Sequence, residues 1–218
     1  MREAISWTGR PLRGMWEPGS RASLAPLHKE SRIDINQHLP EFRAEAYHQG
    51  TLRTFTHEDL LGRWAVLFFF PADFTFVCPP ELADLGERHA ELQAMGVEVF
   101  SVSTDKHFTH TAWHATSLSI GKLTYPMLAD PAGHLSRAFG VHVAETGLAR
   151  RGTFVINPEG LVKIIEVTDD GIGRNASELV RKIQAAQFVA EDPGEACPAH
   201  WTPGAISLKP EPDLVGKL

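Results

Sequence analysis

Two cysteines, Cys78 and Cys197, are the residues of this chain best suited to chemistry. They form no CxxC pair and are too few for a disulfide framework or a cysteine-rich zinc site. Such residues are either buried thiols that fill space or the two halves of a working redox couple. Cys78 has the more telling position. It lies between an apolar run ending at Phe70 and a helix that begins near Pro79 or Pro80. Proline suits a helix start, because the missing N–H would have no partner there. A sulfur at a helix N-terminus meets the partial positive charge that favours a thiolate. The thiolate, not the thiol, is the nucleophile. Arg151 opens a later strand and so stands at a sheet end. Beside Cys78 it would hold the thiolate and grip an oxygen of a substrate; alone it is an ordinary solvated charge.

The other candidates are weaker. His107, His110 and His114 fall at i, i+3 and i+7 of one predicted helix, a spacing that can hold a metal but equally makes a polar face. Asn175-Ala-Ser177 is formally a glycosylation sequon, yet Asn175 with Glu178 three residues on reads better as a helix cap.

The elements that must position these residues follow from periodicity. Residues 54–61 read as a short turn or helix. The run from Trp64 to Phe70 is continuously apolar and β-branched or aromatic, as in a strand buried on both faces. Residues 80–95 carry Leu82, Leu85 and Leu92 at helical spacing, with Gly96 as C-cap. Residues 97–102 are a second strand. Asp105 is placed to cap a helix to about Ser119, and 133–139 form a short helix. Strands 152–157 and 161–167 flank Asn157-Pro-Glu-Gly160, a hairpin turn. The last helix buries Leu179, Val180, Ile183 and Ala186. This order predicts an α/β protein with a mixed central sheet flanked by helices; the thioredoxin-like fold is one such arrangement.

A chain of 218 residues fits one medium domain with arms and can bury a core without staples. No stretch reaches the 18 apolar residues of a membrane-spanning helix. The net charge is −6 with no basic stripe, which argues against nucleic acid. Residues 1–32 show no period and no apolar signal core, and are expected to be a flexible extension. Met15 is a second candidate initiator. Glu3 and Glu17 argue against a transit peptide. Residues 33–190 are expected to form the domain, and 191–218 an arm carrying Cys197, Trp201 and Leu214.

Several separated segments, in order, resemble the typical two-cysteine peroxiredoxins. Pro71-Ala-Asp-Phe-Thr75-Phe-Val-Cys78 matches that family's active-site pattern of Pro, three residues, Thr, two residues, Cys. Phe68-Phe69-Phe70 before it and Pro79 and Glu81-Leu82 after it fit as well. Ser103 to Trp113 is similar to the next strand and helix, and Arg151-Gly-Thr-Phe154 to the strand with the family's arginine. Pro193-Gly194-Glu195-Ala196-Cys197-Pro198 resembles the resolving-cysteine segment. The ending Asp213-Leu-Val-Gly-Lys-Leu218 resembles the tail of the family's bacterial alkyl hydroperoxide reductase branch.

The resemblance implies a thioredoxin-like fold and a thiol peroxidase. Cys78 would be the peroxidatic nucleophile, and Thr75 would hydrogen-bond thiolate and peroxide. Arg151 would polarise the oxygens, Pro71 would shield the sulfur, and Glu81 would orient the arginine. Cys78 would pass through a sulfenic acid to an intersubunit disulfide with Cys197. An external dithiol, a flavoprotein disulfide reductase or a thioredoxin-like protein, would reduce that bond. No cofactor and no metal are implied. A homodimer, assembled into a decamer, and a cytoplasmic location follow by the same analogy. Pro80 is a departure, since the family commonly has Thr there; altered local unwinding is expected. No added helix follows the Val-Gly-Lys-Leu ending, which implies resistance to overoxidation. A holdase chaperone on the same assembly is the rival from another class.

Overall fold

The computed structural model describes residues 33–212 and 216. The expected extension and the tail after Pro212, Leu214 included, lie outside the described residues apart from Gly216. The elements in chain order are β1 (Arg43–His48), β2 (Thr51–Thr56), β3 (Trp64–Phe69), α1 (Cys78–Glu87), α2 (His89–Ala94), β4 (Val97–Ser103) and α3 (His107–Thr116). They continue as β5 (Met127–Ala129), α4 (His134–Ala138), β6 (His142–Val143), β7 (Leu148–Ala149), β8 (Arg151–Ile156), β9 (Val162–Thr168) and α5 (Ala176–Glu191).

Seven strands form one mixed sheet in the order β2-β1-β5-β4-β3-β8-β9. Strands β5, β4 and β3 run parallel, and the flanking strands pair antiparallel. This is the expected mixed sheet with helices on its faces. Strand β3 lies inside it and is buried along its whole length, which explains its unbroken apolar run. Trp64, Val66 and Phe68 face one core with Cys78, Leu82, Leu85 and Ile183. Ala65, Leu67 and Phe69 face the other, with Phe139 and Phe154. Burying each such aromatic or Leu side chain stabilises the fold by roughly 1.5–3 kcal/mol.

The β8–β9 hairpin turns as its sequence predicts. Gly160 has φ +79° and its N–H donates to Asn157 O at 2.9 Å, while Asn157 Oδ1 accepts from Leu161 N at 2.8 Å. Asn175 caps α5, its side chain accepting from the Ser177 and Glu178 amides. Leu179, Val180 and Ile183 are buried as expected, whereas Ala186 is only partly covered.

Other local expectations are corrected. The first part of 54–61 belongs to β2, and only His57–Leu60 makes a single 3-10 turn. Residues 80–95 are two helices, α1 and α2, separated at Arg88. Asp105 does not cap α3, whose N-cap is Lys106. The Asp105 carboxylate instead accepts from the amide of Asp73 and the hydroxyl of Ser103, each at 2.8 Å. It therefore ties the loop after β3 to the end of β4.

Candidate active site

The loop from Pro71 to Val77 leaves the carboxyl end of β3 and delivers Cys78 to the first turn of α1. The sulfur is fully buried. Opposite it, β8 begins with Arg151, itself buried to 4% exposure. Arg151 Nη1 donates to Cys78 Sγ at 3.4 Å and to Glu81 Oε2 at 2.5 Å. Arg151 Nε donates to Asp170 O at 2.9 Å, fixing the plane of the guanidinium. Among the described residues its Nη2 makes no hydrogen bond, so a donor is left for a further oxygen.

Glu81 also takes a second arginine that the sequence did not single out. Glu81 Oε1 accepts from both the backbone N and the Nε of Arg174 at 2.9 Å. Arg174 Nη1 donates to Gly152 O and Thr153 Oγ1, and its guanidinium stacks 3.4 Å over the Phe68 ring. No motif marked Arg174; the only signal was a charge directly before a helix cap. Burial lowers the pKa of Arg174, Glu81 opposes that, and the neighbouring Arg151 adds to the lowering. Burial also works against the charge of Arg151. There the hydrogen bond to Cys78 and the charge of Glu81 outweigh it, and the pKa is raised.

The charges of this cluster decide its chemistry. Two guanidiniums against one carboxylate leave one positive charge in a buried place. An unpaired buried charge is costly. Arg151 Nη1 turns that charge towards Cys78 Sγ. Cys78 thus sits in the first turn of α1 with a guanidinium hydrogen-bond donor at its side.

The remaining expected residues fall differently. Pro71 is buried where β3 ends, and Thr75 is half-buried in the loop. The Thr75 hydroxyl donates to Ala72 O at 2.9 Å and not to the sulfur. Cys197 does not join the cluster within the chain. It lies half-buried against α5, with Sγ 3.8 Å from Ala185 O. A bridge between Ala196 and Leu208 closes the arm around it, and Trp201 packs on Phe188 with ring centroids 4.9 Å apart. Burial pushes the Cys197 thiol up, and Arg181 offsets only part of this. Both thiols are free.

The three α3 histidines do not converge on a metal. His107 Nδ1 pairs with Glu45 and His110 Nδ1 with Asp73, each at 2.7 Å, while His114 lies between Tyr47 and Leu123. They fasten α3 to β1 and to the active-site loop.

The model of the AhpC/TSA family matches residues 35–165, and that of the C-terminal domain of 1-Cys peroxiredoxin matches residues 185–218. Alkyl hydroperoxide reductase C of Salmonella typhimurium is 53% identical over 184 residues, covering 84% of this chain and 98% of that protein. The Bacillus subtilis protein of the same name is 52% identical with the same coverage. The crystal structure of Enterococcus faecalis AhpC superposes with a TM-score of 0.74 at 52% identity, covering 75% of this chain and 98% of that one. Reduced 2-Cys peroxiredoxin of Plasmodium vivax gives 0.79 at 30% identity, covering 82% and 94%. In sequence and in fold the match spans most of the domain that carries Cys78 and Arg151, and the chain belongs to the AhpC/TSA family of peroxiredoxins.

Proposed function

We propose that this chain reduces hydrogen peroxide and alkyl hydroperoxides with Cys78 and completes its cycle through Cys197. The observation that carries this is the buried Cys78–Arg151–Glu81–Arg174 cluster, in which a guanidinium donates to the sulfur. The Cys78 thiolate attacks the terminal peroxide oxygen. The O–O bond breaks, an S–O bond forms, and the departing oxygen leaves as alcohol or water after taking a proton. Arg151, with a free Nη2, holds the oxygens in line and supports the charge that develops on the leaving oxygen. Glu81 fixes Arg151, and Arg174 fixes Glu81. Thr75 turns its hydroxyl from Ala72 O to the peroxide when substrate binds, and Pro71 keeps water from the sulfur.

Cys78–SOH then condenses with the Cys197 thiol of a second chain, releasing water. Residues 33–190 act as the peroxidase domain and 191–218 as the arm that brings Cys197. Strand β9 is an edge of the sheet, and its open backbone suits pairing with another copy. A homodimer is built there and assembles into a decamer. An external dithiol, either a flavoprotein disulfide reductase or a thioredoxin-like protein, reduces the disulfide. No helix among the described residues is long and apolar enough to cross a membrane. The cytoplasm fits a cycle that must return to free thiols.

The test is hydroperoxide consumption with a dithiol reductant. Cys78→Ser should abolish turnover. Turnover that survives in Cys78→Ser sinks the assignment.

A further inference from the structure

Asp73 is the last residue of the active-site loop that the sheet and α3 hold before Cys78. Phe70 N donates to Val102 O at 2.9 Å, so the chain is still tied to β4 as it leaves β3. Further on, Asp73 is gripped twice. Its amide donates to Asp105 Oδ2 at 2.8 Å, and its own Oδ2 faces His110 Nδ1 at 2.7 Å. Both grips are themselves fixed. Asp105 Oδ2 also accepts from Ser103 Oγ at 2.8 Å, at the end of β4. His110 has no exposure, and its Nε2 donates to Leu128 O at 3.2 Å. Among the described residues the loop makes one more hydrogen bond before α1, from Thr75 Oγ1 to Ala72 O, and that bond lies inside the loop.

The grip on Asp73 sits directly before a strained residue. Phe74 has φ +56°, in the left-handed region where Cβ crowds the carbonyl oxygen. Such a conformation persists only where its surroundings impose it. Burial does not impose it, because Phe74 is 57% exposed. Its ring meets Trp113 of α3 at 5.9 Å between centroids. The imposing contacts are those on Asp73, and hydrogen bonds to carboxylates are the stronger kind. The turn decides which side chains face the site. Asp73 and Thr75 lie on the covered side of the loop, and Phe74 and Phe76 on the open side. Relaxing Phe74 to the ordinary negative φ would carry Thr75 away from its place.

We propose that Asp105 and His110 are positioning residues for peroxide reduction: by clamping Asp73 they hold Phe74 in its left-handed turn, and that turn presents Thr75 to the peroxide. This rests on the function proposed above, in which the Thr75 hydroxyl bonds the substrate. Asp105 and His110 act only through Asp73, so cutting either contact slows the step in which Cys78 takes oxygen. The strain at Phe74 separates this role from plain stability. Glycine has no Cβ and carries no such penalty at positive φ. With the clamp intact the turn is formed in nearly every molecule, and Phe74→Gly gains nothing over Phe74→Ala. With the clamp cut the turn is formed in a fraction of molecules. Phe74→Gly then restores it, and Phe74→Ala does not.

The experiment reads the peroxide step alone, in the full-length chain carrying Cys197→Ser. Quenched flow with limiting hydrogen peroxide and dimedone, followed by intact mass, gives the rate at which Cys78 becomes sulfenic acid. Asp105→Ala and His110→Phe should each react about tenfold more slowly, the size of a left-handed residue's penalty. His110→Asn, which keeps a donor near the place of Nδ1, should keep most of the rate. Asp105 is only half-buried, so its variant carries the test even where His110→Phe does not fold. Adding Phe74→Gly to Asp105→Ala should recover most of the loss, and adding Phe74→Ala none of it. A purely structural clamp would not separate glycine from alanine in this way. Asp105→Ala at the rate of the Cys197→Ser chain, or Phe74→Gly and Phe74→Ala equal beside Asp105→Ala, overturns the clamp alone. A Cys197→Ser chain that forms no sulfenic acid on Cys78 overturns the function proposed above, and the clamp with it.

Discussion

One nitrogen of Arg151 stands 3.4 Å from Cys78 Sγ and 2.5 Å from Glu81 Oε2, so a single guanidinium is shared between a thiol and a carboxylate. The carboxylate sets where the guanidinium is. The guanidinium sets how the sulfur is held. Each link can be cut separately.

Cutting the second link removes the donor from the reacting atoms. Arg151→Met should lower kcat/KM for hydroperoxide by about 10²–10³, the usual loss when one preorganised donor to developing charge is removed. Arg151→Lys should recover little, because an ammonium cannot reach sulfur, carboxylate and carbonyl with one planar fork. Single-turnover kinetics with excess hydroperoxide decide this, and a loss below tenfold in Arg151→Met counts against it.

Cutting the first link leaves two buried arginines without a counter-charge. Glu81 is 2% exposed in its side chain, and its partners 3% and 4%. Breaking a buried pair from one side costs about 3–5 kcal/mol. Glu81→Gln, which keeps the acceptor oxygen, should destabilise the reduced protein by about 3 kcal/mol in urea unfolding, and Glu81→Ala by more. A midpoint unchanged in both would show that the network is not held by charge.

The buried Asp73–His110 pair gives a pH signature. Burial raises the Asp73 pKa above 3.8; Asp105 adds slightly, and His110 opposes without cancelling it. A folded pKa above the unfolded one means that the native state binds the proton more tightly. The favourable contribution is full below 3.8 and is lost as pH rises through the higher folded value. The stability of wild type relative to Asp73→Asn should therefore fall with rising pH across the acid range above 3.8 and then level off. A difference that grows with pH contradicts this assignment.

Cys197 gives the opposite lever on turnover. Burial holds its pKa above the ordinary 9.0, so at neutral pH it is overwhelmingly a thiol, and attack requires the thiolate. Disulfide formation after a single oxidation of Cys78 should accelerate by up to about tenfold per pH unit through the neutral range. Stopped-flow measurement of that step at several pH values checks it. A flat profile would mean that the thiolate fraction of Cys197 does not set the rate of disulfide formation.

The legible parts of the sequence were those where burial is strong and local chemistry decisive. Strand β3 is apolar on both faces, the 157–160 turn needs its Asn and Gly, and α5 has both a cap and an apolar stripe. The β1–β2 hairpin was not legible. Strand β1 buries Ala44, Ala46 and Tyr47, two of them alanines that carry little hydrophobic signal, and β2 is an edge strand that buries no residue fully. Its turn, Gln49-Gly50, has φ +46° and +82° and was the one clue. The split at Arg88 is invisible because the apolar spacing continues across it. At the site, Cys78, Arg151 and Glu81 come together as their motifs imply. Arg174 was missed because its role depends on the fold bringing the loop after β9 under α1, a long-range contact that no local spacing encodes.

The most direct test is a non-reducing gel with intact mass after one equivalent of hydrogen peroxide, applied to wild type, Cys78→Ser and Cys197→Ser. Wild type should give a dimer band joined by Cys78–Cys197 disulfides, Cys197→Ser a monomer bearing oxygen on Cys78, and Cys78→Ser an unmodified monomer. A dimer band in Cys78→Ser, or oxygen first appearing on Cys197 in wild type, would contradict Cys78 as the sulfur that takes the peroxide oxygen.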